Sequence, residues 1–224
     1  MLDAADGHKL RDVLRLTPGD EIELRDSTAS AYRALILCLR PSVRVRVGER
    51  LGEAELPELA ITLAQCLPKG AKMDYVVEKA TELGVARILP VQSERVIGRR
   101  ESGGRIERWR RLARAAAEQS RAARVPEVSE IGDWAQLLEE AASFDRVLLP
   151  WELAAPEPRA LDGVLLGAQS VLIIVGPEGG VSHREVELAM ARGAVTFSLG
   201  RRILRTETAG LFAIACVRYA SGEV

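Results

Sequence analysis

The stretch VLIIVGPEGGVSHREVELAM, residues 171–190, limits the possible folds more than any other part of the chain. Its first five residues are all apolar, which is typical of a strand buried on both faces of a parallel sheet. Gly-Pro-Glu-Gly-Gly follows at once, and Ser182 with Glu185 has the spacing of a capping box, which predicts the start of a helix. In α/β proteins, ligands often bind where a parallel strand is followed by a glycine-rich turn and then by the N-terminus of a helix.

Strands and helices alternate from about residue 59 onward. The apolar runs LAITLAQCL, VARILPV, DRVLLPWE and AVTFSLG predict further buried strands. RIERWRRLARAAAEQSRAAR predicts an amphipathic helix, and a last helix is expected to begin near Glu207. One more helix is indicated by apolar residues at helical spacing: Met73, Val76, Val77, Ala80 and Leu83. This alternation predicts an α/β fold, in which a mainly parallel sheet has helices on both faces.

The first third of the chain has a different pattern. GDEIELRD, AYRALILCL and VRVRVG predict short strands with turn residues between them, and the helical piece HKLRDVLRL precedes them. These elements predict a small β-barrel that ends near LGEAELPE.

Composition excludes several classes of protein. No apolar run approaches the length of a membrane span, and the N-terminus carries charges where a signal peptide would be apolar, so a cytoplasmic protein with no membrane partner is expected. The three cysteines lie far apart without a CxxC pair, and there are only two histidines. Neither a disulfide framework nor a metal site is therefore expected.

Arginine is concentrated in one segment of a nearly neutral chain. Nine arginines lie between residues 99 and 124, against three glutamates, while the formal net charge of the chain is −1. A local basic stripe of this kind favours a surface that faces RNA. A GC-rich genome also explains why the chain has many arginines and only four lysines.

Two other predicted strand ends carry polar residues. SLGRRILRTETAGL, residues 198–211, leads from a strand through glycine and three arginines, and LLPWE, residues 148–152, ends another strand. Because parallel strands end at the same edge of a sheet, all three strand ends are expected to line one crevice. The glycine turn is neither GxGxxG nor a phosphate-binding loop, and Glu178 would repel phosphate but suits hydroxyls, an amine or a positive centre. Taken singly, the glycine turn is equally explained as a tight structural turn, and residues 198–211 as a solubilising loop.

Four blocks of the sequence resemble one known family. KGAKMDYVVEKATELGV with ILPVQSERV, RWRRLARAAAEQSRAARVPEV, IIVGPEGGVSHREVE and LGRRILRTETA are similar to the signatures of the bacterial 16S ribosomal RNA uridine-N3 methyltransferases, the RsmE family of the SPOUT class. The resemblance runs in order through almost the whole chain.

The resemblance implies a PUA-like RNA-binding β-barrel over residues 1–65 and a SPOUT methyltransferase domain over residues 66–224, with a C-terminal deep trefoil knot near residues 148–210. It also implies S-adenosylmethionine as the cofactor, held mostly by backbone groups, which glycine allows to approach closely. The implied cofactor-binding residues are Leu149, Glu152, Gly176, Pro177, Glu178, Gly179, Leu199, Gly200, Ile203, Leu204 and Thr208.

The implied reaction needs groups that stabilise an anionic uracil, since N3 must lose its proton before it attacks a methyl sulfonium. Arg205 is our first candidate for that stabilising charge. Glu207 either accepts the proton or orients Arg205, although a carboxylate in the first turn of a helix is also simply favourable. No metal is needed.

The resemblance further implies 16S ribosomal RNA, or the small ribosomal subunit, as the partner, and a homodimer for which the helix GLFAIACVRYA is a candidate interface, with packing inside one chain as the alternative. Two departures from the family pattern stand near the N-terminus. The family's strand rich in Arg and Phe is not seen before the opening segment, so either the barrel is incomplete or the numbering begins late, and DSTASAY replaces an Asp-Gly turn. Phosphate contacts are expected from arginines on and after the basic helix and in the second loop: Arg105, Arg108, Arg111, Arg121, Arg124 and Arg202.

Two other functions remain open from the sequence alone. A non-catalytic protein for RNA binding or ribosome assembly would keep the fold, although intact GPEGG and ILRTETA stretches argue against it. A nucleotide-dependent oxidoreductase would share the alternation of strands and helices, but the chain lacks GxGxxG and an acidic residue suitably placed for a ribose.

Overall fold

The computed structural model describes residues 4–26, 30–53, 59–93, 103–155, 161 and 163–223. The chain divides into two compact units, residues 1–56 and 57–224. This division agrees with the change of pattern near LGEAELPE and lies earlier than residue 65, the boundary that the family resemblance implied. The reason is that residues 60–66 form a strand of the second unit's sheet.

The N-terminal unit is a three-stranded antiparallel sheet preceded by a short helical segment. Helix α1 (Ala4–His8) continues into a π-helical turn (Lys9–Val13), and strands β1 (Glu21–Arg25), β2 (Ser30–Cys38) and β3 (Arg44–Glu53) pair in that order. A small core of Leu10, Ile36 and Leu39 joins helix and sheet. All three strands were predicted. Most of the tip of DSTASAY, residues 27–29, lies outside the described residues.

The second unit contains a parallel sheet of seven strands. Their bounds are β4 (Ala60–Cys66), β5 (Arg87–Gln92), β6 (Glu127–Val128), β7 (Gly132–Asp133), β8 (Arg146–Pro150), β9 (Ser170–Val175) and β10 (Ala194–Phe197). The spatial order is β10-β8-β9-β4-β5-β6. Strand β6 pairs with the start of β5, and β7 pairs with the end of β5. Every pairing in this sheet is parallel, as the buried apolar runs predict.

Helices cover both faces of this sheet. Helices α2 (Lys72–Glu82), α3 (Gly103–Ser120) and α6 (Thr206–Ala220) lie on one face, and α4 (Trp134–Ala141) and α5 (His183–Met190) lie on the other. Alternate side chains of β9 supply both cores: Ile173 faces the first group of helices, and Leu172 and Ile174 face the second. Burial on both faces therefore explains why β9 is apolar at every position from Val171 to Val175.

Helix α4 was not among the predicted elements. It begins at an N-terminal capping box, in which the Asp133 side chain accepts a hydrogen bond from the Gln136 amide at 3.0 Å and the Gln136 side chain accepts one from the Asp133 amide at 3.0 Å. The signal was thus present in the sequence as Asp-x-x-Gln. Among the described residues, no helix is long and apolar enough to cross a membrane.

Candidate cofactor and RNA site

Three neighbouring strands end side by side at one edge of the sheet. Strand β8 pairs in parallel with β10 on one side and with β9 on the other, so the segments that follow them begin at the same edge. We call residues 176–180, after β9, the glycine loop and residues 198–205, after β10, the arginine loop. The predicted convergence of three strand ends is confirmed by this strand order.

The glycine loop is a tight turn that leads into α5. The Gly180 amide donates to the Pro177 carbonyl at 2.9 Å, and Gly180 has a φ of +71°, a conformation that favours glycine. The predicted capping box is confirmed, since Ser182 Oγ accepts from the Glu185 amide at 3.2 Å while Glu185 Oε2 accepts from the Ser182 amide at 2.8 Å. The turn therefore ends where the helix starts.

Two glycines in this loop are required for different reasons. A Cβ on Gly176 would lie 2.5 Å from Val181 Cγ2 and 3.2 Å from the Val181 nitrogen. A Cβ on Gly180 would meet only the Glu152 side chain, with Oε1 at 2.7 Å, and that exposed side chain can turn away. Glycine is required at 176 by close packing of the loop on itself, and at 180 by its backbone conformation.

A buried hydrogen-bond chain joins the glycine loop to α6. Gln65 Nε2 donates to Thr206 Oγ1 at 2.8 Å and to the Cys66 carbonyl at 3.0 Å, and Thr206 Oγ1 donates to the Gly176 carbonyl at 2.5 Å. Gln65 is fully buried near the carboxyl end of β4. Sequence reasoning missed Gln65, although a lone amide in the apolar run LAITLAQCL was a usable signal.

The Glu178 side chain is engaged within the protein. Its Oε1 accepts from the Lys69 amide at 2.9 Å and lies 3.3 Å from Lys72 Nζ. Burial by itself raises the pKa of Glu178, but hydrogen bonds from the Lys69 amide and from its own amide, together with the Lys72 ammonium, outweigh burial and lower that pKa. Glu178 is therefore a negative group that ties the glycine loop to the segment after β4.

The arginine loop exposes several of its side chains. Arg205 is the residue before α6, its carbonyl accepts from the Thr208 and Ala209 amides at 2.8 Å each, and its exposed guanidinium has no partner within the described part of the chain. Ile203 is 92% exposed, which is unusual for an isoleucine, and Gly200 has a φ of +104° with no atom within 4 Å of where a Cβ would stand. The loop thus offers charge, apolar surface and open backbone.

The first turn of α6 adds a carboxylate. Glu207 is 13% exposed, and its Oε2 lies 3.3 Å from Lys72 Nζ without forming a hydrogen bond to any described residue. Arg205 and Glu207, the two predicted catalytic residues, thus stand two positions apart at the start of one helix.

The other predicted cofactor residues occupy different environments. The Leu149 side chain is fully buried in the core beneath α4 and α5, so Leu149 can reach a ligand only through its backbone. Leu199 and Leu204 are half-buried, and Glu152 and Thr208 are exposed. Trp151, next to Glu152, packs edge-to-face on His183 with ring centroids 5.3 Å apart, a contact that positions the segment after β8.

The arginines predicted to contact RNA are all exposed: Arg105, Arg108, Arg111, Arg121, Arg124 and Arg202. The apolar stripe of α3 faces the core through Ile106 and Trp109, which leaves the basic face outward. Arg108 donates to Asp74 at 2.5 Å, so its charge is partly neutralised. Among the described residues, the side chains of Arg111, Arg124 and Arg202 have no partner.

Comparison with known proteins identifies the family. A sequence profile described as "RNA methyltransferase domain" matches residues 54–218. The chain is 33% identical to the Bacillus subtilis ribosomal RNA small subunit methyltransferase E, covering 95% of this chain and 86% of the relative, and 34% identical to the Synechocystis protein of the same name, covering 96% and 71%. The crystal structure of ribosomal RNA small subunit methyltransferase E from Neisseria gonorrhoeae bound to S-adenosyl methionine superposes with a TM-score of 0.81 at 32% identity, covering 97% of this chain and 90% of that one. The chain belongs to the ribosomal RNA small subunit methyltransferase E family.

Proposed function

We propose that this protein transfers a methyl group from S-adenosylmethionine to N3 of one uridine in 16S ribosomal RNA of the small ribosomal subunit. The observation that carries the proposal is the meeting of the glycine loop, the arginine loop and the segment after β8 at one edge of the sheet. The names of the relatives support the RNA substrate, and the Neisseria gonorrhoeae structure supports the cofactor.

The residues of the site fit S-adenosylmethionine. The open backbone at Gly200 allows close approach of a ligand, and exposed Ile203 with half-buried Leu204 offers apolar surface for an adenine ring. The tight glycine loop presents backbone groups in place of side chains, which suits a ligand rich in hydroxyl and amino groups. When bound, the cofactor supplies an electrophilic methyl group on a sulfonium.

Arg205 and Glu207 carry the chemistry on the RNA side of the proposal. Uracil N3 becomes nucleophilic when its proton leaves, and the negative charge then spreads onto the neighbouring carbonyl oxygens. The guanidinium of Arg205, which has no partner among the described residues, would stabilise that charge. Glu207 would accept the N3 proton or hold Arg205 in place.

The basic face of α3 and the arginine loop form the proposed RNA surface. Arg111, Arg124 and Arg202 are the strongest candidates for phosphate contacts, because none is neutralised by another described residue. The N-terminal unit is proposed to be a PUA-like module that binds RNA as well. Its antiparallel sheet of three strands is consistent with that assignment.

We also propose a trefoil knot near residues 148–210 and a homodimer. Support for the knot comes from the path of the chain. It runs from β10, the outermost strand, through the arginine loop to α6, which packs against β9 and β4 in the middle of the sheet. Support for the dimer comes from an exposed stripe of α6 at helical spacing, formed by Thr208, Phe212, Ala215 and Tyr219. Its two large side chains, Phe212 and Tyr219, are 46% and 76% exposed. A second copy of the chain is the proposed occupant of that stripe.

The deciding experiment is methyl transfer from labelled S-adenosylmethionine to small ribosomal subunits that lack the modification, with naked 16S RNA in parallel and nucleoside analysis of the product. Label in 3-methyluridine is the expected result, and the ratio between the two substrates reports whether subunit assembly precedes modification. Cofactor binding without label in either RNA would replace the proposal with a non-catalytic RNA-binding role. Label in another nucleoside would overturn the assignment of N3.

A further inference from the structure

Lys72 stands between carboxylates from two different parts of the site. Its Nζ lies 3.3 Å from Glu178 Oε1 on the glycine loop and 3.3 Å from Glu207 Oε2 in the first turn of α6. Lys72 itself is the first residue of α2, which follows the end of β4. One ammonium therefore connects α2 with the glycine loop and with α6. Both of these lie more than 100 residues after Lys72 in the chain.

We propose that Lys72 is a positioning residue, which holds the Glu207 carboxylate relative to the glycine loop in the arrangement that methyl transfer requires. The inference rests on the proposed function, since it assigns the cofactor side of the site to the glycine loop and the RNA side to Glu207. It adds a residue that neither sequence reasoning nor the predicted site included.

The contacts around Lys72 indicate orientation more than stability. Its side chain is 36% exposed, and ion pairs at that exposure contribute little to folding because water and salt screen them. Glu207 Oε2, by contrast, is buried and has no hydrogen bond within the described residues. Lys72 thus supplies a positive charge that faces this oxygen, and its removal would leave the carboxylate without a fixed direction.

Other contacts hold Glu178 and the backbone around the site without Lys72. The Lys69 amide donates to Glu178, so the turn between β4 and α2 fixes Glu178 independently of Lys72. The chain Gln65–Thr206–Gly176 likewise fixes the start of α6 against the glycine loop. Loss of Lys72 should consequently leave the backbone of the site in place and release chiefly Glu207.

Lys72→Met tests this, because it removes the ammonium and keeps most of the length of the side chain. We expect turnover on the small subunit to fall by about tenfold to a hundredfold, as for other misplacements at a reacting group, with the KM for the cofactor changed less than about threefold. Lys72→Arg should recover most of the loss, since a guanidinium can bridge the same two carboxylates. Unchanged turnover in Lys72→Met would overturn the proposal.

Lys79→Met is the matched control. Lys79 lies on the same helix and also contacts two carboxylates, Glu78 at 2.8 Å and Glu82 at 2.7 Å, but neither belongs to the site. Loss of turnover in Lys79→Met as large as in Lys72→Met would show that the effect comes from destabilising α2, and would also overturn the proposal.

A double-mutant cycle identifies the carboxylate through which Lys72 acts. If it acts through Glu207, Lys72→Met should cost no further turnover in a Glu207→Gln background and should keep its full cost in a Glu178→Gln background. A full cost in the Glu207→Gln background would refute action through Glu207.

One readout is independent of turnover and separates this inference from the proposed function. In a crystal structure of Lys72→Met, the Glu207 side chain should be displaced or occupy more than one conformer, while the backbone of the glycine loop and of α6 stays in place, with or without an active enzyme. If the native protein transfers no methyl group, the proposed function fails while this structure still decides whether Lys72 orients Glu207. A Glu207 side chain in its native position would overturn the inference in either case.

Discussion

Gly176→Ala should displace the glycine loop, because the added Cβ would clash with Val181. The added Cβ would stand 2.5 Å from Val181 Cγ2, whereas ordinary contacts begin at 3.4 Å, so one of the two segments must move by about 0.9 Å. Val181 is buried and its nitrogen lies 3.2 Å from the same point, so the side chain has little room to turn away. Overpacking of this kind costs about 1–3 kcal/mol of unfolding free energy.

The shift should appear in cofactor binding as well as in stability. Because the Gly176 carbonyl accepts from Thr206, a displaced loop also disturbs the start of α6, and we expect the Kd for S-adenosylmethionine to rise about tenfold or more. Urea unfolding measures the first effect, and isothermal titration calorimetry measures the second. Val181→Ala in the same chain removes the clashing methyl group and should restore part of the affinity.

Gly167→Ala is the control for this prediction. Gly167 has a φ of +69°, with no atom within 4 Å of an added Cβ, and it precedes β9 at the opposite edge of the sheet. Alanine there should cost about 1 kcal/mol through backbone strain alone and leave the Kd unchanged. Native-like affinity in Gly176→Ala, or equal loss of affinity in both variants, would refute the reasoning.

Three further outcomes are expected. Arg205→Ala should leave cofactor affinity within about threefold and lower turnover about a hundredfold, since its side chain is exposed and unpaired among described residues; loss of both in calorimetry and methyl transfer would make Arg205 structural. Phe212→Glu should convert the proposed dimer to a monomer in light scattering, while Leu188→Glu on α5, at a residue of similar exposure, should not; a dimeric Phe212→Glu places the interface elsewhere. Glu178→Gln should be less stable than the native protein above pH about 4.5, the ordinary pKa of Glu, because the lowered folded pKa makes the ionised group stabilising there, and the difference should vanish as pH falls through the folded pKa; a pH-independent difference in urea unfolding would contradict this.

Local patterns were sufficient to predict most elements of the fold. The strands at residues 60–66, 170–175 and 194–197 were visible as apolar runs because burial on both faces allows no polar alternation. The start of α5 was visible in Ser182 and Glu185, because a capping box uses only backbone and side chains within four residues. Short edge strands β6 and β7 were not predicted, since two residues carry no periodicity.

The predicted meeting of three strand ends depended on strand order, whereas the direction of each side chain depends on packing. The three loops do meet at one edge, as parallel strands require. Leu149, however, points into the core, and Glu178 is held by Lys69 and Lys72. A residue at the end of a strand has two possible faces, and only the packing of neighbouring elements decides which one a side chain uses.

The sequence alone determined the α/β fold class, most of the order of elements and the family, because each depends on periodicity and on short motifs of residues close together in the chain. The tertiary structure decided which distant residues share the site. Gln65 and Lys72 come from the end of β4 and the start of α2, and they reach Thr206, Glu178 and Glu207 only because the sheet places β4 next to β9 and packs α6 beneath both. Such contacts join residues that are more than 100 positions apart, and no local pattern specifies them.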